Sequence, residues 1–160
     1  SRLFHGMSAF LDFFDGRQID WKNGRPLWMT LAPLRYRSDL LGGRVILIPA
    51  EFVTDLASTP RLPIIWLAVG GRGTRSAVIH DLPYQTGWWV FEDGTKLDVE
   101  KDLVDDVFWE SLLADPISGA GPMRAREMWA GVRIGGKGVW AERKVRAASL
   151  NPIWTREGWP

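Results

Sequence analysis

Turn residues limit what the first third of this chain can become. Asn23-Gly24 and Gly42-Gly43 are tight-turn dipeptides, and Pro49 stops the apolar run before it. Between them lie four short stretches: Ile19-Asp20-Trp21, Leu27-Trp28-Met29-Thr30-Leu31, Leu34-Arg35-Tyr36-Arg37 and Val45-Ile46-Leu47-Ile48. Their aromatic and β-branched content suits a pleated surface. The prediction is a small N-terminal antiparallel β-sheet, with Leu34–Arg37 alternating like an edge strand and Val45–Ile48 buried. Leu3–Phe14 is apolar and aromatic without a clean period, and reads as part of an N-terminal arm over residues 1–14.

Helical periodicity begins later. Thr74 is a good N-cap for a short helix carrying Ser76-Ala77-Val78-Ile79-His80-Asp81-Leu82-Pro83-Tyr84. At helical pitch Ala77, His80, Asp81 and Tyr84 share one face, and Val78, Ile79 and Leu82 share the other. Pro83 lacks the backbone donor and clashes with the preceding turn, so this helix should end near Leu82, leaving Tyr84 only close to that face. A longer helix, capped by Asp98, should reach Ala114 and stop at Asp115-Pro116. Its apolar stripe is Val104, Val107, Phe108 and Leu112. Lys101 and Asp105 project onto one margin of that stripe, whereas Asp102, Asp106 and Glu110 point away. Pro122 opens a third helix, Ala125, Met128, Trp129 and Val132 form its inner face, and Gly135-Gly136 closes it. Lys137–Pro160 is basic and weakly periodic, and reads as an extended tail. The expected fold is therefore α+β: one globular domain over residues 1–140 with about three helices, followed by a C-terminal extension over 141–160.

The pattern turns a set of polar residues inward. Phe52–Arg61, dense in residues that bond their own backbone, should form a structured loop holding Asp55, Ser58 and Arg61. The helices add His80, Asp81, Tyr84, Lys101 and Asp105. Burying an unpaired charge is costly, so these groups need partners. Three arrangements stay open. In the first, His80, Asp81 and Asp105 ligate a divalent metal, zinc or manganese, through nitrogen and oxygen, with a water completing the site. Metal-dependent phosphohydrolases need more histidines, and His5 is the only other one. In the second, Ser58 is a nucleophile with His80 as its base, oriented by Asp55 or Asp105, although no Gly-x-Ser-x-Gly elbow surrounds Ser58. In the third, Arg61 and Lys101 neutralise Asp81 and Asp105, and His80 and Tyr84 complete a structural network.

Composition removes several classes of function. Of 160 residues 20 are basic and 19 acidic, giving a net charge of +1, so no global field recruits nucleic acid. Cysteine is absent, which excludes disulfides, thiolate metal sites and a cysteine nucleophile. The best apolar run, Leu62–Val69, is too short to span a membrane and contains a proline, and the opening residues lack the layout of a secretory signal. The ten tryptophans are the outstanding count. Some must pack a core, and the others fit binding surfaces, with Trp88 and Trp89 able to stack on a sugar or a partner protein. The Gly70-Gly71-Arg72-Gly73 turn is too short for a phosphate loop.

Taken together, Phe52-x-Thr54-Asp55-Leu56-Ala57-Ser58-x-Pro60-Arg61, His80-Asp81-x-x-Tyr84, Lys101-x-x-Val104-Asp105-x-x-Phe108 and Met128-Trp129-x-x-Val132-Arg133, with Gly135 and Trp140, resemble a phage and prophage family. It is the family known as domain of unknown function 1353, and the resemblance runs from about Leu27 to Trp140. Two positions depart from it: Pro83 stands where a large apolar residue is expected, and Lys101 where arginine is expected. The resemblance implies bacteriophage origin beside late virion or lysis genes, and brings no established activity. The expected role is a virion-associated protein of tail or baseplate type, in the virion or in the host cytoplasm before assembly. Its expected partners are other phage structural proteins, met through Trp-bearing arms. The alternative is a metal-dependent hydrolase acting on peptidoglycan or a phosphoester.

Overall fold

The structure, a computed structural model, describes residues 7–59, 73–117 and 120–157. His5, Pro60, Arg61, the Leu62–Val69 run, Gly70–Arg72 and Trp159 lie outside the described residues.

The turn residues deliver antiparallel strands: β1 (Ala9–Phe10), β2 (Gly16–Lys22), β3 (Arg25–Thr30), β4 (Leu34–Ser38), β5 (Arg44–Ile48) and β6 (Val53–Thr54). Asn23 and Gly24, with φ of 53° and 74°, supply the left-handed pair that a two-residue β2–β3 hairpin needs. The strands form two three-stranded sheets, in the orders β1-β4-β5 and β2-β3-β6, instead of one. Pro33, just before β4, cannot donate to a ladder, and the chain bends between Leu31 and Pro33. That bend breaks β3 from β4. The expectation of an edge strand at Leu34–Arg37 is also corrected, because β1 covers the outer side of β4. Leu34 and Tyr36 face the core with Ile46 and Ile48 of β5. The β2–β3 hairpin carries little of that core, and Arg17 through Trp21 are exposed.

The first helix, α1 (Thr74–Asp81), starts with Gly73 as N-cap, so Thr74 is its first residue and not its cap. Pro83 then opens a second short helix, α2 (Pro83–Thr86). The hairpin β7 (Trp88–Val90) and β8 (Lys96–Asp98) follows, and Asp98 pairs with Trp88 instead of capping a helix. The cap of α3 (Lys101–Ala114) is Glu100, and α3 ends at Asp115 as expected. Next comes α4 (Pro122–Gly135), opened by its proline. The core gathers Leu34, Tyr36, Ile46 and Ile48 with Val78, Ile79, Val107 and Phe108, and with Ala125, Met128 and Val132 of α4.

The C-terminal segment differs most from expectation. It is helical and packed: α5 (Lys137–Ala141), α6 (Arg143–Leu150) and α7 (Pro152–Glu157). Ala147, Leu150 and Asn151 are buried, and Trp154 stacks on Phe52 with ring centroids 5.5 Å apart. Asn151 reaches back to pair with both the N–H and the C=O of Val53. Short helices of this size gain stability from packing more than from propensity, so the local sequence gives them little weight. No helix among the described residues is long and apolar enough to cross a membrane.

Candidate functional site

Pro83 interrupts the helical bonding but not the helical direction. Leu82 keeps right-handed dihedrals, φ −59° and ψ −54°, so α2 continues nearly where α1 stops. Tyr84 therefore stays one turn beyond His80, with ring centroids 4.3 Å apart. The loop after β6 is pinned by its own side chains: the Asp55 carboxylate accepts from Ala57 N, and Thr54 Oγ1 accepts from Leu56 N. This carries Ser58 to the imidazole.

Asp105 is the hub of the first cluster. Its Oδ1 lies 2.8 Å from His80 Nε2 and accepts from the Tyr84 hydroxyl at 2.6 Å. Its Oδ2 accepts from Lys101 Nζ at 2.7 Å and pairs with Arg133 Nε at 3.4 Å. On the other side of the ring, His80 Nδ1 lies 3.1 Å from Ser58 Oγ. Ser58, His80 and Asp105 are each 0% exposed. Because the carboxylate can only accept, the neutral ring carries its proton on Nε2, and Nδ1 accepts from Ser58. The line runs from hydroxyl to imidazole to carboxylate.

Asp81 is the hub of a second cluster on the neighbouring face. Its Oδ2 accepts from Thr54 Oγ1 at 2.6 Å and Gln85 Nε2 at 3.0 Å, and its Oδ1 pairs with Arg146 Nη2 at 2.9 Å. The same Arg146 nitrogen reaches Asp55 Oδ1 at 2.8 Å, while Nη1 donates to the carbonyl of Tyr84 at 3.0 Å. One guanidinium thus ties α6 to the loop, α1 and α2.

Electrostatics follow from this pairing. Burial drives the His80 pKa below its ordinary 6.5, against the opposing pull of Asp105. Burial alone would raise Asp105, but the bonds from His80, Lys101 and Tyr84 outweigh it and hold the carboxyl below its ordinary 3.8. Asp81 behaves alike: burial pushes up, and Arg146, Thr54 and Gln85 pull it below 3.8. Burial, with the Asp105 charge, pushes the Tyr84 phenol far above its usual range. In the unfolded chain His80 takes a proton first, so its contribution is full above about 6.5 and falls as pH drops through that value. The two carboxylates contribute above 3.8 and lose that contribution as pH falls towards their lowered folded values. All three terms have the same sign. Urea midpoints should be flat at neutral pH, decline below about 6.5 and fall faster below about 3.8. A stability maximum on the acid side of 6.5 would contradict this pairing.

The spacing at Gly136 guards the Tyr84 bond. A Cβ there would sit 2.5 Å from the Val132 carbonyl oxygen and 2.8 Å from the Tyr84 hydroxyl. Backbone cannot yield cheaply, so Gly136→Ala should cost about 1–3 kcal/mol, read as a lower urea midpoint. An unchanged midpoint would show that the contact relaxes freely.

Of the residues singled out in the sequence, Ser58, His80, Tyr84, Lys101 and Asp105 come together. Asp81 and Asp55 join each other through Arg146 instead. The ligand set His80, Asp81 and Asp105 does not converge, and no group of three or more His, Asp or Glu side chains suited to a metal forms among the described residues. Both ring nitrogens of His80 are engaged, and cations already sit against Asp105 Oδ2. This donor set does not fit a divalent ion. Trp89 is fully buried and donates to the Ile79 carbonyl, while Trp88 is half-buried beneath Lys96. Arg61, with its expected pairing to Asp81, lies outside the described residues; among the described residues Arg146 pairs with Asp81. Arg146, Thr54, Gln85 and Arg133 also belong to these clusters, although the sequence pattern does not single them out as site residues. For Gln85 the signal was present, since it lies four residues after Asp81 on the same helical path.

Residues 28–132 match a family described as "Protein of unknown function (DUF1353)". No curated protein and no solved structure matches the chain.

Proposed function

The chain belongs to the DUF1353 family, whose description names no activity, and from that premise we propose a virion-associated structural or accessory component of tail or baseplate type. One observation carries this reading. Ser58, His80, Asp81 and Asp105 are all 0% exposed and are bonded to one another or to neighbouring side chains. A site so enclosed serves as a framework that fixes α1, α3, α4 and α6 together. The bacteriophage setting is what the family resemblance implies. Contact with another phage structural protein falls to the exposed β2–β3 hairpin, where Trp21 is 64% and Ile19 40% exposed. Exposed tryptophan is typical of interface anchors. Replacing Ile19 and Trp21 with serine should leave the circular dichroism unchanged and remove the protein from purified particles, as read by quantitative mass spectrometry. Full incorporation of that double variant would overturn the proposal.

A second reading is hydrolysis without a metal, favoured by the unbroken Ser58–His80–Asp105 line. Ser58 Oγ–H faces the imidazole lone pair and the ring N–H faces the carboxylate, which is how a base is set against a nucleophile. This reading requires a fluorophosphonate probe to label Ser58 in the folded protein, with labelling lost in Ser58→Ala. The framework reading expects no labelling.

A further inference from the structure

A cavity of about 290 Å³ lies between α2, β7 and the C-terminal helices α6 and α7. Trp88, Trp154, Gln85, Asn151, Lys144 and Thr155 are among the residues that line it. The size is at the lower end of small-molecule pockets, roughly 300–1,000 Å³, so it suits one ring-sized group.

The polar groups narrow the chemistry further. Both amide N–H groups of Gln85 are used, on Val53 O and Asp81 Oδ2, and both of Asn151 are used, on Val53 O and Gln85 Oε1. Each amide oxygen accepts one described bond, from Asn151 and from Val53 N respectively. A carbonyl oxygen has room for a second. A ligand that reaches these amides meets acceptors, which suits the hydroxyls of a sugar ring and not a plain aromatic acid. Lys144, also in the lining, is exposed and makes no ion pair or hydrogen bond among the described residues. No acidic side chain is among the described residues lining the cavity. Lys96 Nζ, 4.3 Å from the Trp88 ring, adds a second positive charge nearby. Indole walls accept the C–H face of a pyranose, and the lysine adds an attraction for a carboxylate.

We propose that this cavity binds a single sugar ring carrying a carboxylate, of uronic-acid type. The cavity adjoins the Asp81 cluster through Gln85, and the proposal does not depend on the assembly role. Glucuronate, titrated into the full chain labelled with ¹⁵N, should give saturable shifts of the Trp88 and Trp154 indole N–H signals. Glucose should bind about fivefold more weakly, the value of one exposed charge contact. Lys144→Glu, a change at an exposed position, should abolish the preference for glucuronate while the rest of the spectrum stays folded. Absence of saturable shifts, equal binding of glucose, or tighter binding of benzoate than of glucuronate would each overturn the proposal.

Discussion

Asp105→Asn should lower the stability of this protein by about 3–5 kcal/mol, the usual cost of removing one partner from a buried ion pair. At this chain length that is a fall in melting temperature on the order of 10 °C. The substitution keeps the volume of the side chain, so packing does not explain the effect. It removes the charge that Lys101 Nζ meets at 2.7 Å and Arg133 Nε at 3.4 Å, and it sets an amide where His80 and Tyr84 both donate. Two cations are then left without their shared anion. Lys101 keeps the carbonyls of Val132 and Arg133, at 3.3 and 2.9 Å, which offsets only part of the loss. Asp102→Asn one turn earlier is the control: that side chain is 74% exposed, and its change should stay within about 0.5 kcal/mol. Thermal unfolding of the two variants side by side separates a buried hub from an ordinary helical acid. Equal effects would mean that Asp105 holds nothing together.

Arg146→Met should be comparably damaging, about 3–5 kcal/mol, for the converse reason. It keeps much of the aliphatic stem and deletes the guanidinium. Asp81, with no exposure, would retain Thr54 and Gln85 as its donors among the described residues, and Asp55 would lose its contact at 2.8 Å. The carbonyl of Tyr84 would lose its donor as well. Adding Asp81→Asn to Arg146→Met should recover part of the loss, because the uncompensated buried charge goes with it. The coupling between the two, measured as a double-mutant cycle in urea, should be about 1–3 kcal/mol. Strict additivity would contradict a direct pairing. The effect also tests whether residues 141–157 belong to the folded body, since this one side chain links α6 to elements sixty and more positions earlier.

How much of this was legible depended on whether the signal was local. Asp105 stood out because helical periodicity put it beside Leu112 while its acidic neighbours pointed away, and it is the hub of the first cluster. Glu110 complicates that picture: it points away from the cluster yet accepts from Tyr36 Oη and Leu40 N. Pro83 ends α1 as its missing donor requires, but the continued direction of the chain through Leu82 depends on packing, and keeps Tyr84 on the His80 face. Asp81 is grouped with His80 by helical face, and Asp55 by residue type from the preceding loop. Their shared partner Arg146 lies 91 residues from Asp55 and 65 from Asp81, and local periodicity carries no information about such a pairing. Two sheets in place of one came from Pro33, whose effect on pairing is local and readable. The central position of β4 was not readable, because it needs the long-range pairing with β1.

The central claim is that the His80 cluster is enclosed and built into the framework. The two histidines of the chain, His5 and His80, make a direct test simple: ¹⁵N chemical shifts of the imidazole nitrogens followed through a pH titration, with His5→Gln to assign the signals. An enclosed cluster predicts that His80 remains neutral, protonated on Nε2, until the protein unfolds in acid. Reversible protonation of His80 near its ordinary 6.5, in a protein whose other signals stay folded, would contradict it.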